Sequence, residues 1–140
     1  MKFSFSFTGR DSIINAISGI TEKARKPLID VVSEGVLAIH AQARRSIQAH
    51  LSHGEKYGKH TASLPGFPPN TDTGFLVRSI EWEVDKEKLQ GRVGTNLDYG
   101  YWLEFGTAET KPRPWLSPAY KNNLKFINHL FEEALRKVFK

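Results

Sequence analysis

The chain contains no cysteine, which excludes disulfide bonds and thiolate chemistry and favours folding inside a cell. It also has no apolar run of membrane-spanning length, and its N-terminus lacks the basic-then-apolar order of a signal peptide. We therefore expect a soluble protein made in the cytoplasm. With 140 residues, the chain is long enough to bury a core in one domain covering residues 1–140.

Motifs for catalysis and cofactor binding are missing as well. No phosphate loop ending in Gly-Lys-Ser or Gly-Lys-Thr occurs, and no nucleophile elbow surrounds a serine. The five histidines include no His-Glu-x-x-His pair, so a metal site is not predicted. A hydrolase using His50, His53 and Glu55 is the weakest alternative. We predict no enzymatic activity, catalytic residue, cofactor, metal or small-molecule substrate.

Charge is distributed unevenly along the chain. Residues 72–110 carry eight acidic and four basic side chains, a net charge of −4, whereas residues 111–140 carry seven basic and two acidic, a net charge of +5. One copy could thus present an acidic patch to a basic patch on another copy, although ordinary solvated surfaces would have the same composition. The sequence pI near 9.5 leaves a basic nucleic-acid-binding module as the alternative function.

Hydrophobic periodicity predicts an α+β fold. Phenylalanines alternate with polar residues over 3–8, as in a strand, and a short helix carrying Ile13, Ile14 and Ile17 is expected before Gly19. A long helix is predicted from about Thr21 or Pro27 to about Leu51. Its apolar stripe is formed by residues at steps of three or four: Leu28, Val32, Val36, Ile39, Ala43, Ile47 and Leu51.

The second half of the chain predicts the rest of the architecture. Ile80, Trp82 and Val84 alternate with acidic residues in a strand, and a second strand returns over 89–95 after a reversal at 86–88. A brief helix over 99–105 precedes a C-terminal helix that begins at Ser117 and Pro118. The expected fold is a small antiparallel sheet packed against the long N-terminal-half helix and the C-terminal helix.

Residues 52–71 are rich in His, Gly, Lys and Pro, so neither a helix nor a strand ladder is expected there. Loops of this length inside a compact domain are usually functional or disordered. We interpret the segment as a mobile arm that becomes ordered on assembly, with a plain flexible loop as the alternative. The arm residues predicted to contact partners are His53, Lys56, Tyr57, Lys59, Pro65, Phe67 and Pro68.

The segment from Tyr99 to Ala119 is unusually dense in aromatic residues, glycine and proline. We expect Trp102, Phe105 and Trp115 to form a buried clasp that locks the sheet to the last helix. Glu104 is closely bracketed by apolar residues. It is predicted to pair with an arginine or a backbone N–H group in a structural role, because a buried carboxylate needs a partner.

Four motifs occur in a fixed order between residues 64 and 120. They are Pro-Gly-x-Pro-Pro followed by Thr-Gly-x-Leu-x-x-Ser-Ile at 65–80, Val-Gly-Thr-Asn at 93–96, Tyr-x-x-x-x-Glu-Phe-Gly-Thr at 99–107, and Pro-Trp-Leu-x-Pro-Ala at 114–119. This order resembles the tail-completion, or head-tail joining, proteins of long-tailed bacteriophages, in which phenylalanine is usual at the position of Trp115. The residues that carry the resemblance are Thr73, Gly74, Leu76, Gly94, Tyr99, Glu104, Phe105, Gly106, Thr107, Pro114, Trp115, Leu116 and Pro118.

The resemblance implies a structural neck protein of a phage or prophage, with no enzymatic activity. Such proteins assemble as a ring, commonly of six subunits. The implied partners are further copies of the chain, the capsid connector or head-closure proteins, and the tail-tube or terminator proteins. No membrane and no specific nucleic acid is implied. The implied location is the cytoplasm of the bacterial host during assembly and then the neck of the virion.

Overall fold

The computed structural model describes residues 3–8 and 22–139. The short helix predicted around Ile13 and Ile17 lies outside the described residues. The elements in chain order are β1 (Phe3–Thr8), α1 (Glu22–Gln48), β2 (Lys56–Tyr57), β3 (His60–Thr61), α2 (Phe75–Ser79), β4 (Glu81–Asp85), β5 (Gln90–Thr95), α3 (Asp98–Phe105) and α4 (Ser117–Val138). Helices combined with small antiparallel sheets make this an α+β fold, as predicted.

Helix α1 has the amphipathic pattern expected from its sequence. The stripe from Leu28 to Ile47 is buried and forms the centre of the core. The helix begins at Glu22, so Pro27 lies inside it. It ends at Gln48, and His50 then adopts a left-handed φ of 49°. Because the chain turns away there, Leu51, predicted to continue the stripe, is exposed.

Strands β1, β5 and β4 form an antiparallel sheet in that order, with β5 in the middle. Phe5 lies opposite Val93 on one side of β5, and Trp82 lies opposite Val93 on the other side. Val93 is buried in the core with α1, whereas Glu83 and the facing Arg92 are exposed. The acidic outer face predicted for β4 is therefore present, whereas on its apolar face Ile80 is buried and Val84 is only half-buried.

Trp82 departs from the predicted alternation. It shares a sheet face with Val93, yet 48% of its surface is exposed. Among the described strands β4 lies at the edge of the sheet, so a large side chain there has neighbours on one side only. The turn after β4 is fixed by Asp85, whose carboxylate accepts the backbone N–H groups of Lys88 and Glu87 at 3.0 Å each. These bonds, that from Lys88 first, lower the pKa of the Asp85 carboxyl.

Helix α4 packs along α1 and completes the core. Its residues Ala119, Ile127 and Ala134 are buried, and the amide of Asn123 donates to Gln42 Oε1 on α1 at 2.6 Å. Leu124 lies at the exposed margin of the helix. Within the described residues, neither α1 nor α4 nor any shorter helix is long and apolar enough to cross a membrane.

The arm at 52–71 differs from its prediction in one respect. β2 and β3 pair in a short antiparallel ladder in which Lys56 lies opposite Thr61 and Tyr57 opposite His60. The expectation that no ladder forms here was wrong. Gly58, with a φ of 62°, permits the tight reversal between the two strands because it lacks a Cβ atom.

Candidate functional site

Glu104 is the centre of the buried part of the site. Its side chain, 4% exposed, projects from α3 toward the start of α4. One carboxylate oxygen, Oε2, accepts the backbone N–H groups of Trp115 and Leu116 at 2.8 and 2.9 Å, and Oε1 accepts that of Ser117 at 3.0 Å. Of the two partners predicted for Glu104, an arginine or a backbone N–H group, the structure shows backbone N–H groups.

These bonds make Glu104 the N-terminal cap of α4. The first residues of a helix have N–H groups without helical partners, and the helix dipole places partial positive charge there. Leu116, at the N-cap position, makes no side-chain capping bond. A carboxylate from a different helix therefore supplies both the acceptors and the negative charge. This contact ties α3 to α4.

Trp115 joins α3 to the start of α4 in a second way. Its indole is fully buried, and its Nε1–H donates to the carbonyl oxygen of Gly100 at 2.9 Å. A Cβ atom at Gly100 would lie 2.6 Å from Thr95 Cγ2 at the end of β5. The absence of a side chain at position 100 thus lets α3 approach the sheet closely. The clasp, which we define as Gly100, Glu104, Trp115 and Leu116, joins β5, α3 and α4.

This close approach predicts the effect of Gly100→Ala. Alanine normally favours a helix over glycine by about 1 kcal/mol, but here overpacking against Thr95 should destabilise the protein by about 1–3 kcal/mol. Thr95→Ser removes Cγ2 and keeps the hydroxyl, which bonds to Ser79 Oγ and to the N–H of Leu97. The double variant should therefore recover at least half of the loss. Urea unfolding of the two single variants and the double variant measures this coupling, and simple additivity would contradict the contact.

Residues 106–113 form a strap between α3 and α4. Gly106 has a φ of 75°, and a Cβ atom there would lie 2.7 Å from Thr110 O. Thr107 Oγ1 accepts the N–H groups of Glu109 and Thr110, which closes the turn. The Glu-Phe-Gly-Thr motif is therefore a cap followed by a turn.

The arm is tied to the strap. Arg113 donates through Nε to Ser63 O at 3.1 Å, and the N–H of Gly66 donates to Pro112 O at 2.9 Å. Asn70 fastens the two ends of the arm, since its amide donates to Ser52 O at 2.8 Å and to Thr61 O at 2.9 Å. Between arm and strap lies a cleft of about 600 Å³ lined by Tyr57, His60, Pro65, Pro69, Leu103 and Lys111, among others.

The arm residues predicted to contact partners are mostly accessible. His53, Lys56, Tyr57, Lys59, Pro65 and Phe67 are exposed, and Pro68 is half-buried. The phenol of Tyr57 donates to Glu55 Oε2 at 2.7 Å, and this bond raises the pKa of Tyr57. Contact with partners remains a prediction for all seven.

Two aromatic residues of the predicted clasp lie elsewhere. Trp102 is 52% exposed and Phe105 is 51% exposed, so the prediction that both are buried beside Trp115 was wrong. Tyr99, which carries part of the family resemblance, is also exposed. The reason is helical geometry: Gly100, Leu103 and Glu104 occupy the inward face of α3, so residues 102 and 105 must project outward and residue 99 lies at the margin between the two faces.

Histidines and carboxylates are dispersed through the described part of the chain. His40 contacts the carbonyl oxygen of Ile80 through Nε2 at 3.0 Å, and His129 pairs with Glu133 at 3.4 Å on α4. Glu55 is bonded to Tyr57, and His50 and His53 are exposed. No group of three or more His, Asp or Glu in residues 3–8 and 22–139 is arranged to hold a metal ion.

A comparison with protein families now identifies the chain. Residues 11–106 match the HK97-gp10-like family, described as a tail component of bacteriophage HK97. No curated protein and no solved structure is similar enough to count as a match. The matched range covers more than half of the chain and contains the motifs at 65–80, 93–96 and most of 99–107. The chain therefore belongs to the HK97-gp10-like family of bacteriophage tail components.

Proposed function

We propose that this tail component is a neck protein that joins the capsid connector to the tail, acting as a ring of identical subunits. The main observation in support of the proposal is that the two faces of α3 have different environments. Its inward face holds the clasp through Gly100 and Glu104, whereas Trp102 and Phe105 on its outward face, and Tyr99 at the margin, are exposed. A rigid frame with an apolar outer face is suited to association rather than to catalysis.

The arm supplies a second contact surface. It extends from the end of α1 and is fastened at its base by Asn70. We infer that its exposed tip contacts a neighbouring connector or tail-tube protein, while the base holds the tip in a fixed position relative to the core. In this role the protein assembles in the host cytoplasm and remains in the virion neck, and it needs no cofactor or enzymatic activity.

Removing the hairpin of the arm tests this function. The N–H of Gly54 donates to Ala62 O at 2.7 Å, so two glycines can replace residues 55–60 without moving the base, and Thr61 stays to accept from the Asn70 amide. We expect the shortened protein to fold with nearly unchanged thermal stability, because the lost residues are exposed or half-buried. In a phage that depends on the variant, we expect DNA-filled heads and free tails in place of joined particles, counted by electron microscopy.

The control for this deletion is Lys86→Ala combined with Lys88→Ala, which alters an exposed turn outside the arm. The control should leave the yield of joined particles unchanged. Infectious particles from the shortened variant in normal number would show that the arm does not take part in joining.

A further inference from the structure

We infer that the ring contact pairs two different surfaces of this chain: the aromatic face of one copy and the basic face of α4 in the next copy. The aromatic face is Phe75 of α2 with Tyr99, Trp102 and Phe105 of α3. The basic face is Lys121, Leu124, Lys125 and Phe126. The inference rests on the ring proposed above and assigns its contact residues.

The aromatic face extends from α2 onto α3. Phe75 and Tyr99 line the same cavity of about 170 Å³, and Tyr99, Trp102 and Phe105 follow one another at steps of three along α3. The guanidinium of Arg78 lies 5.1 Å from the centre of the Phe75 ring. Burial raises the pKa of the Tyr99 phenol, and the charge of Arg78 opposes that rise.

The size of the face is that of an association surface. Phe75, Trp102 and Phe105 each expose half or more of their area, and Tyr99 exposes more than a third. With about 200 Å² per aromatic side chain, the four together expose roughly 400 Å². That is as large as the biggest apolar patch of a typical monomer and about half of the roughly 800 Å² that each partner contributes to a stable interface.

The chain itself provides a complementary surface. Lys121 and Lys125 are one helical turn apart on the outward side of α4, and Leu124 and Phe126 flank them with 36% and 43% of their surface exposed. Lysines among apolar side chains match aromatic rings, because ammonium groups are attracted to ring faces and their carbon stems cover apolar area. The carboxylates of Asp98 on α3 and Asp72 beside the α2 end of the face add negative charge, and Arg78 is held over Phe75.

These features favour a second copy over an unrelated partner. Asp72 and Asp98 beside the aromatic face outnumber Arg78, whereas Lys121 and Lys125 make the other face basic, so the two surfaces have opposite sign on one polypeptide. Two different surfaces that bind each other repeat from copy to copy. They close into a ring when the rotation allows it, whereas a self-complementary face would stop at a dimer.

Disulfide trapping tests the pairing directly, because the chain has no cysteine of its own. We would purify Trp102→Cys and Phe126→Cys separately, one of them with a tag of different mass, and mix them at about 0.1 mM under mild oxidation. The expected product is the mixed disulfide, at least about fivefold more abundant than either homodimer. Adding Lys121→Glu and Lys125→Glu to the Phe126→Cys chain should lower the yield of the mixed disulfide by a similar factor.

The matched control replaces Trp102→Cys with Trp82→Cys, an equally exposed tryptophan on a different part of the molecule. The inference is overturned if the yield of mixed disulfide is no higher than in this control. It is also overturned if the Trp102→Cys homodimer is as abundant as the mixed disulfide. If Trp102→Cys impairs folding by circular dichroism, Phe105→Cys takes its place. If the mixed disulfide does not form but the arm deletion still leaves heads and tails separate, the proposed contact is wrong and the proposed joining role is unaffected.

Discussion

Replacing Glu104 with alanine should lower the free energy of unfolding by about 3 kcal/mol, with a fall in Tm on the order of 10 °C. The change removes both acceptor oxygens from the N–H groups of Trp115, Leu116 and Ser117 in a site that is closed to water. Loss of a helix cap alone costs about 1 kcal/mol, and buried donors without partners add to that cost.

The conservative variant Glu104→Gln separates hydrogen bonding from charge. Glutamine keeps one acceptor oxygen for two of the three donors, loses the negative charge at the helix dipole, and should cost about 1–2 kcal/mol. Glu132→Ala, on the exposed side of α4, is the control and should change stability by less than about 0.5 kcal/mol. Guanidinium unfolding gives the three values, and an alanine variant as stable as the wild type would refute the capping role of Glu104.

Trp115→Ala should destabilise the protein by about 3–5 kcal/mol, the usual cost of truncating a large buried aromatic side chain. Trp115 is fully buried among Leu116, the core residues of α1 and the carbonyl of Gly100. Trp115→Phe restores most of the volume and should cost only about 1–2 kcal/mol, because the bond from Nε1 is lost. Thermal unfolding with calorimetric detection measures both.

Trp102→Ala is the informative control for Trp115, because the two residues were expected to act together. Half of the Trp102 surface is exposed, so this variant should lose about 1 kcal/mol or less and should instead weaken association between copies. Equal losses of stability for Trp102→Ala and Trp115→Ala would contradict the division between a buried clasp and an exposed aromatic face.

Local pattern and burial preference were enough to anticipate much of the fold. Spacing that any packed helix or half-buried strand must satisfy predicted three features: the stripe of α1, the positions of β4 and β5, and the start of α4 at Ser117. Glu104 was recognisable for a related reason. A carboxylate within an apolar segment must find donors, although the sequence left open whether they were backbone N–H groups or an arginine.

Predictions failed where burial depends on the neighbours of an element. Trp82 has the phase of a core residue but lies on a strand at the edge of the sheet, and Leu51 continues the helical spacing beyond the point where α1 ends. The hairpin at 56–61 lacks β-branched alternation, and its two pairs depend on the reversal at Gly58 and on the amide of Asn70, which bridges residues distant in sequence.

By itself, the sequence determined that this protein is an α+β phage tail component built around two long amphipathic helices, because periodicity and motif order are properties of a single chain. Only the tertiary structure decided which aromatic residues hold the fold and which are left for partners. Trp115 and Trp102 are chemically identical. They differ because Glu104 and Gly100 direct one face of α3 into the core, and a helix that buries one face must expose the opposite one.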